Sequence, residues 1–428
     1  ISQSPLAMRS ITLLSVFFAI GMPYKILVYN SKMAHSHSKF LGRITDILVD
    51  AGHDVTSLMP IFDSDTKDGT EKSRKIYVEQ DADVAAFQAI RKKKMLSDAF
   101  VVNIHNPMHV FVVSKMFTML AKQCKRTLQE EKLLETLKKE KFDVMIVEYF
   151  DMCGLGLSHI IKPKALIGSI STAIFSGHQH LIGIPTALSY NPTSLTSHLD
   201  VHSIVSRAWN VYNHLLNRLT LHLSNVATEA VFREKYGRNF SSLADVASNT
   251  AYFFTNSEPL LDFAPPTLSR IVYIPGIGAK PPGKLDKDWE AIMTKRDRVV
   301  LISFGSNARS ADLPEKAKEA FLTMISRFPH ITFIWKYEML DAHFVKTNAS
   351  TLSNIEFTKW MPQNDILAHK NLAMFITHGG MGSTQELSRS GVPGVFIPLY
   401  GDQPRNAFMM EYNGIGKVFK PNDLNSNK

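Results

Sequence analysis

A segment near the C-terminal end of the chain concentrates side chains that bind polar ligands. It runs from 360 to 403 and contains the stretch His-Gly-Gly-Met-Gly-Ser between an apolar run at 373–377 and a helix-like run at 384–390. Glycine lets a ligand approach the backbone closely, and the free amides and dipole at the start of a helix favour an anion. We therefore expect a phosphate group near four residues of this stretch: His378, Gly380, Gly382 and Ser383.

Five other side chains of the segment suit a base, a ribose and a sugar. Trp360 offers a flat face for a base, and Gln363 offers both amide polarities to its edge. Glu386, one turn into the helix, can accept hydrogen bonds from a ribose diol, while Asp402 and Gln403 suit sugar hydroxyls. Any one of these could be a packing residue, but the ordered set favours a ligand site. Since the order matches neither GxGxxG nor a Walker motif, a dinucleotide or ATP is not the default ligand.

The elements that position this segment alternate between strands and helices. Apolar residues at 24–29, helical spacing over 40–48 and a second apolar run at 53–58 predict a βαβ unit. A stretch rich in Pro and Gly at 275–284 then interrupts the pattern, which restarts at 299–304. We expect an α/β protein with two doubly wound halves and a ligand cleft between them, at the carboxyl ends of the strands.

The composition argues against a nucleic-acid-binding protein. The net charge is +9, from 48 basic and 39 acidic residues, but the densest basic run, 91–94, has no interleaved aromatic side chains. Such a run is typical of a solvated helix face, so we expect no nucleic-acid partner. The two cysteines, Cys124 and Cys153, allow one disulfide without implying it.

The N-terminus is typical of a secreted protein. Met8 and Arg9 precede an apolar run at 11–21, which is too short to span a bilayer and ends in the small residues Ala19 and Gly21. We interpret 1–22 as a signal peptide with Met8 as its start; the alternative is a buried first strand. Sequons at 239–241 and 348–350 agree with a secretory route.

The ordered set at 360–403 resembles the signature of the UDP-glycosyltransferases, and of the animal UDP-glucuronosyltransferases in particular. The resemblance begins at about residue 24 and is strongest over 355–412. It implies a GT-B fold, with an acceptor-binding N-terminal domain (23–275), a linker (276–297) and a UDP-sugar-binding C-terminal domain (298–428). It also implies an inverting transfer of a sugar, with glucuronate favoured, to a hydroxyl of a small lipophilic acceptor, without a metal or other cofactor.

The resemblance assigns roles to the matching residues of the C-terminal half. Uracil would stack on an aromatic ring, and polar side chains would hold the ribose, the diphosphate and the sugar. In that order, the residues are Trp360; Glu386; His378 with Ser306; and Asp402 with Gln403.

The resemblance also implies a histidine base in the loop after the first strand. His35 and His37 both lie there, and counting fifteen residues back from Gly52, which ends the next helix, selects His37. His35 is the second choice. Histidine suits the role because it takes up a proton near neutral pH. The pair could also be half of a metal site, but no Cys or Glu partner is near it in the sequence.

The base needs a carboxylate to orient it, and here the chain departs from the family pattern. The family has an aspartate at the end of the strand that begins Phe-Asp-Val, whereas this chain has Glu148, with Asp151 three residues further on. We expect Glu148 to serve and Asp151 to cap a helix, although Asp151 could have taken over the role. The Asp-Ser-Asp of 63–65 mimics a metal-binding motif, but its polar loop indicates chance.

Several alternatives stay open at the level of sequence. The chain could be a non-catalytic UDP-sugar-binding or regulatory homologue, or a UDP-glucosyltransferase. Resembling proteins continue beyond the position of Lys428, so we expect a truncated C-terminal domain and, in the longer protein, a membrane anchor that holds the enzyme in the lumen of the endoplasmic reticulum. The sequence names neither the sugar nor the acceptor, and it leaves assembly into homo-oligomers open.

Overall fold

Two parallel β-sheets follow one another along the chain. The computed structural model describes residues 23–99, 107–277, 281–306 and 308–421, so the predicted signal peptide lies outside the described residues. Within these ranges the N-terminal sheet has seven strands: β1 Lys25–Tyr29, β2 Asp54–Pro60, β3 Arg74–Val78, β4 Val144–Glu148, β5 Ala165–Ile170, β6 Tyr252–Thr255 and β7 Ile271–Tyr273. Their order across the sheet is β3-β2-β1-β4-β5-β6-β7, and every pair is parallel.

Helices connect these strands. They are α1 His35–Asp50, α2 Ala82–Ala99, α3 His109–Gln129, α4 Glu131–Lys139, α5 Cys153–Ile161, α6 Ser176–Gln179, α7 Ile204–Tyr236 and α8 Leu243–Ser248, with a 3₁₀ turn at His180–Ile182. In the described part of the chain, none of the helices is both long enough and apolar enough to cross a membrane.

The C-terminal half repeats this architecture with six strands, again within the described residues. They are β8 Val299–Ser303, β9 Thr332–Lys336, β10 Ile355–Thr358, β11 Leu372–Thr377, β12 Gly394–Phe396 and β13 Gly416–Val418, in the order β10-β9-β8-β11-β12-β13. Its helices are α9 Lys287–Thr294, α10 Glu315–Arg327, α11 His343–Thr351, α12 Gln363–Leu367, α13 Met381–Ser390 and α14 Gln403–Tyr412, with a 3₁₀ turn at Ser310–Asp312.

The central strands are almost continuously apolar because helices cover both faces of each sheet. In β8, for example, Val299, Leu301 and Ile302 are fully buried. The strand order reverses between β1 and β4 in one sheet and between β8 and β11 in the other. Each reversal opens a crevice at the carboxyl ends of the strands, which is where doubly wound sheets bind ligands.

The structure moves three boundaries relative to the sequence-based predictions. His35 and His37 lie in the first turn of α1, not in a loop before it, and Glu148 is the last residue of β4 rather than the first residue after it. Helix α9 falls inside the predicted linker, and its Met293 packs in the hydrophobic core of the C-terminal half. The linker therefore contributes an element to that half.

The two halves touch away from the crevices as well. Arg405 of α14 forms an ion pair with Asp262 at 2.5 Å and donates to the Pro192 carbonyl at 3.1 Å. Within the N-terminal half, a disulfide joins Cys124 of α3 to Cys153, the first residue of α5. The bridge that the cysteine count left open is thus present, and it lies five residues from Glu148.

Candidate active site

His37 meets a carboxylate at the β1–β4 crevice. It is the third residue of α1, and its Nδ1 lies 2.7 Å from Oε1 of Glu148. The two residues come together because β1 and β4 are neighbours in the sheet, so α1 starts beside the end of β4. Of the two histidines and two carboxylates that the sequence offered, the hydrogen bond joins His37 to Glu148.

Ser171 completes this group, and sequence reasoning missed it. Its Oγ lies 2.9 Å from Nδ1 of His37, and its amide donates to Oε1 of Glu148 at 3.0 Å. Ser171 directly follows β5, the strand beside β4. Its place after a strand that borders the crevice is the signal that could have pointed to it.

His37 and Glu148 each stabilise the charged form of the other. Burial would raise the pKa of Glu148, but the neighbouring imidazole and the hydrogen bonds from Ser171 hold that pKa below its usual value. Burial would lower the pKa of His37, but Glu148 and, more weakly, Asp402 raise it above its usual value. With Nδ1–H donated to the carboxylate, Nε2 is the ring nitrogen that can accept a proton.

Asp151 and His35, the alternative carboxylate and histidine, make other contacts. Oδ2 of Asp151 accepts from the Tyr29 hydroxyl at 2.9 Å, and Oδ1 accepts from the Cys153 amide at 3.0 Å, at the start of α5. Burial raises the pKa of Asp151 despite these hydrogen bonds. Burial, with the nearby charges of Lys39 and Lys67, lowers the pKa of His35. The Asp151 amide donates to the Glu148 backbone carbonyl at 3.2 Å, but no described hydrogen bond joins the side chain of Asp151 or His35 to the side chains of His37 and Glu148.

Aromatic side chains border the His37 ring. The ring centroid of Phe150 lies 5.1 Å from that of His37, 5.8 Å from that of Phe117 and 6.3 Å from that of Phe175. Met116 and Phe117 belong to the apolar cluster at this point, whereas Met108 of the same stretch is 62 % exposed. The arrangement gives the histidine an apolar, aromatic neighbourhood on its own half of the cleft.

A second histidine, His378, follows β11 in the C-terminal half. Its ring lies between two glycines: a Cβ atom would stand 2.6 Å from the ring at Gly305 and 2.6 Å from it at Gly380. Gly305 also has φ of +82°, which favours glycine. Burial, with a smaller effect of Lys336, lowers the pKa of His378 to about 4, so the ring is neutral at pH 7. Ser306 is exposed in the same loop as Gly305.

The helix after His378 begins three residues earlier than the sequence indicated. Gly380 is the N-cap and Met381 the first residue of α13, so Gly382 and Ser383 lie in its first turn. Amides in that turn lack intrahelical acceptors and can bind an anion. A Cβ at Gly382 would meet no atom within 4 Å, so the space above this turn is open.

Three further predicted residues lie on α13 or on the same side of the cleft. Nε2 of Gln363 donates to Oε2 of Glu386 at 2.7 Å and to Oγ of Ser383 at 3.2 Å. Trp360 lies two residues beyond β10, and 62 % of its side chain is exposed. The helix start, a carboxylate and an open indole ring therefore lie along one side of the cleft.

Asp402 and Gln403 behave differently from each other. Oε1 of Gln403 accepts from the amides of Leu399 at 2.8 Å and Tyr400 at 3.1 Å, so this side chain shapes the loop before α14. Oδ2 of Asp402 accepts from Asn406 at 2.6 Å, and burial raises the pKa of Asp402. The Asp402 carboxylate also contributes, from the other half, to raising the pKa of His37.

Two facing Rossmann-type halves, with a histidine–carboxylate pair on one side and a glycine-rich helix start on the other, define a GT-B glycosyltransferase. The chain matches the family described as UDP-glucoronosyl and UDP-glucosyl transferase over residues 24–427. It therefore belongs to that family, and it is a UDP-glycosyltransferase.

Curated relatives agree with this assignment. The putative UDP-glucuronosyltransferase ugt-48 of Caenorhabditis elegans is 30 % identical over 418 residues, covering 96 % of this chain and 78 % of the relative. The UDP-glucuronosyltransferase 3A2 of Homo sapiens is 30 % identical over 401 residues, covering 90 % and 72 %.

Solved structures share the fold at low sequence identity. The glycotransferase of kitacinnamycin superimposes with a TM-score of 0.60 at 16 % identity, covering 95 % of this chain and 89 % of its own. UGT2 of Phytolacca americana, complexed with UDP-2fluoro-glucose and pterostilbene, has a TM-score of 0.57 at 16 % identity, with coverage of 93 % and 85 %.

Proposed function

We propose that this enzyme transfers glucuronate from UDP-glucuronate to a hydroxyl of a small lipophilic acceptor, with inversion at the anomeric carbon. The observation that carries the mechanism is the 2.7 Å contact between His37 and Glu148. The choice of glucuronate rests on the names of the two relatives above, both of which are called UDP-glucuronosyltransferases.

His37 acts as the general base. Its Nε2 takes the proton of the acceptor hydroxyl while the hydroxyl oxygen forms a bond to the anomeric carbon. The bond from that carbon to the β-phosphate oxygen breaks, and UDP leaves with the electron pair. Glu148 stabilises the imidazolium and fixes its orientation, and general-base assistance of this kind contributes roughly 10²–10⁴-fold in rate.

The C-terminal half holds the donor. Neutral His378, Ser306 and the amides of α13 bind the diphosphate, so no metal is required to bind it. Trp360 stacks on uracil, and Glu386 accepts from the ribose after Gln363 gives up part of its hydrogen bonding. Asp402 binds the sugar hydroxyls next to His37, and Gln403 keeps that loop in place through its own hydrogen bonds to the backbone.

The test is a donor and acceptor panel. The purified protein is incubated with UDP-glucuronate or UDP-glucose and a series of phenols and steroids, and products are identified by mass and by anomeric coupling in NMR. We expect β-glucuronides from the α-linked donor. Faster transfer from UDP-glucose contradicts the choice of sugar, and retention of configuration contradicts the single-displacement mechanism.

The enzyme works in the secretory pathway, in the lumen of the endoplasmic reticulum. Support comes from the Cys124–Cys153 disulfide, because such bridges persist in oxidising compartments. Expression in cultured cells followed by protease treatment of intact microsomes tests this. We expect protection until detergent is added, and digestion without detergent contradicts a lumenal position.

A further inference from the structure

Two lysines of the N-terminal half reach across the cleft to the C-terminal half. Nζ of Lys39 lies 3.7 Å from Oε1 of Glu386, and Nζ of Lys67 lies 5.7 Å from the ring centroid of Trp360. Glu386 and Trp360 are the residues assigned to the ribose and the base of the donor. The N-terminal half therefore places two positive charges against the nucleoside side of the proposed donor site.

Lys39 shares a helix with the proposed base. It lies two residues after His37 in α1, and a two-residue step turns about 200° around a helix. His37 consequently faces Glu148 of its own half while Lys39 faces Glu386 of the other. One helix start thus presents a base to the acceptor side and a cation to the donor side.

Lys67 stands on a loop that is held in place by ionic contacts next to it. Asp68 accepts from Lys32 at 2.7 Å, from Lys75 at 3.0 Å and from the Tyr77 hydroxyl at 2.7 Å. Burial would raise the pKa of Asp68, but these three hydrogen bonds lower it to about 2. The carboxylate therefore stays charged, and the backbone beside Lys67 is fixed.

The same loop packs directly on α1. Gly69 has φ of +80°, and a Cβ there would stand 1.9 Å from the Ser38 carbonyl oxygen, so only glycine fits this approach. Asp46 of α1 accepts from the Thr70 hydroxyl at 2.5 Å and from the Lys72 amide at 3.2 Å. Lys39 and Lys67 are consequently carried by one unit of the N-terminal half.

Stability alone is a weak reason for these contacts. Exposed ion pairs and exposed cation–π contacts each contribute little to the free energy of folding. Both lysines order a long side chain at the cleft, where Lys336 of the C-terminal half already lies 5.9 Å from the Trp360 ring. Lys336 is paired with Glu338 at 2.9 Å, so Lys39 and Lys67 are the cations that the N-terminal half adds to the nucleoside site, where they suit a ligand with several negative charges.

We propose that Lys39 and Lys67 form the N-terminal wall of the nucleotide site, where their charges hold the diphosphate of a nucleoside diphosphate and draw the two halves together over it. This inference rests on the proposed function. Lys39 exchanges Glu386 for the donor when the ribose arrives, and Lys67 stays over the edge of the base with its charge toward the phosphates.

Calorimetric titration of the whole protein with UDP and with uridine tests the proposal. Lys39→Met and Lys67→Met are each expected to weaken UDP binding about five- to tenfold and uridine binding by less than about twofold, since uridine carries no phosphate charge. Lys39→Arg and Lys67→Arg should restore most of the UDP affinity. The matched control is Lys72→Met, because Lys72 lies on the same loop, is 46 % exposed like Lys39 and pairs with Asp50 away from the cleft.

The titrations can be interpreted once melting curves show that the variants are folded. UDP affinity like that of the unmodified protein in both methionine variants overturns the proposal, and so does an equal loss for UDP and uridine. In steady-state assays the KM for the donor should rise, while kcat should change by less than about twofold. This is the pattern expected when binding is lost equally in the ground state and the transition state. If the unmodified protein binds no UDP, the proposed function fails; if it binds and turns over UDP-sugar while the variants match it, only the role of the lysines fails.

Discussion

The two crevices each present a histidine, but the residues around the two rings differ. His37 lies against Glu148 and Ser171, and Glu148, with a smaller effect of Asp402, raises its pKa. His378 lies between two glycines with Lys336 as its charged neighbour, and its pKa falls to about 4. The surroundings of the first ring favour its protonated form, while the second ring stays neutral at pH 7 and can only share a hydrogen bond.

The contrast shows how two halves of similar architecture can contribute different groups to one transfer reaction. In the proposed mechanism the acceptor must lose a proton, and the N-terminal half supplies a base with a carboxylate to orient it. The leaving group is an anion, so the other half supplies amides, a helix dipole and a neutral imidazole. The neighbours, not the residue type, set what each histidine does.

The largest expected effect is the loss of the base. His37→Ala should lower kcat by roughly 10²–10⁴-fold because no other group takes the acceptor proton. UDP affinity, measured by calorimetry, should stay within about twofold, since the donor binds to the other half. His35→Ala is the matched control two residues away. Full activity of His37→Ala together with an inactive His35→Ala would mean that the wrong histidine carries the role.

The carboxylates give the next largest effect. Glu148→Gln should lower kcat about 10- to 100-fold and leave the melting temperature unchanged, because the amide oxygen can still accept from His37 but carries no charge. Asp151→Asn should do the reverse: near-normal turnover with a loss of about 1 kcal/mol of stability, from weaker contacts to Tyr29 and the start of α5. Turnover and thermal melting of both variants decide between them, and an inactive Asp151→Asn at unchanged Glu148→Gln activity would reverse the assignment.

His378 provides a smaller effect on the donor side. His378→Ala should weaken UDP binding about tenfold through one lost hydrogen bond to phosphate, which corresponds to about 1.4 kcal/mol. The pH at which activity falls on the acid side should not move, because a group with a pKa of about 4 does not titrate there. A shifted acid limb in this variant would assign proton transfer to the wrong half.

Chelation should have the smallest effect of all. Dialysis against EDTA is expected to leave turnover within about twofold, since in the proposed site the diphosphate is bound by hydrogen bonds from amides and from neutral His378. Activity that disappears with EDTA and returns with Mn²⁺ would favour the Asp63-Ser-Asp65 motif instead.

Much of this difference between the two halves could be predicted from the sequence, because it depends on patterns within short segments. The strand–glycine–helix pattern around His378 indicates an anion site, and the alternation of strands and helices indicates two parallel sheets. Glu148 was also expected as the partner of the base, because the family has an aspartate at the end of the strand that begins Phe-Asp-Val.

What the sequence did not reveal depends on contacts between distant segments. Ser171 reaches His37 only because β5 lies beside β4, and 134 residues separate the two side chains. Lys39 and Lys67 are unremarkable in the sequence, and their position against the other half depends on the packing of the Lys67 loop on α1, the helix that carries Lys39. For Gln403, a predicted sugar ligand, the sequence did not reveal that its side-chain oxygen accepts from two amides of its own loop.

The pairing of His37 with Glu148 is tested most directly by the pH dependence of kcat/KM. The base must be neutral to act, so activity falls as pH drops through its pKa, and Glu148 holds that pKa above the usual 6.5. In Glu148→Gln the charge is gone while burial still lowers the pKa, so the acid limb should move to lower pH, alongside the reduced plateau. An acid limb at the same pH in both proteins would contradict the pairing and, with it, the proposed mechanism.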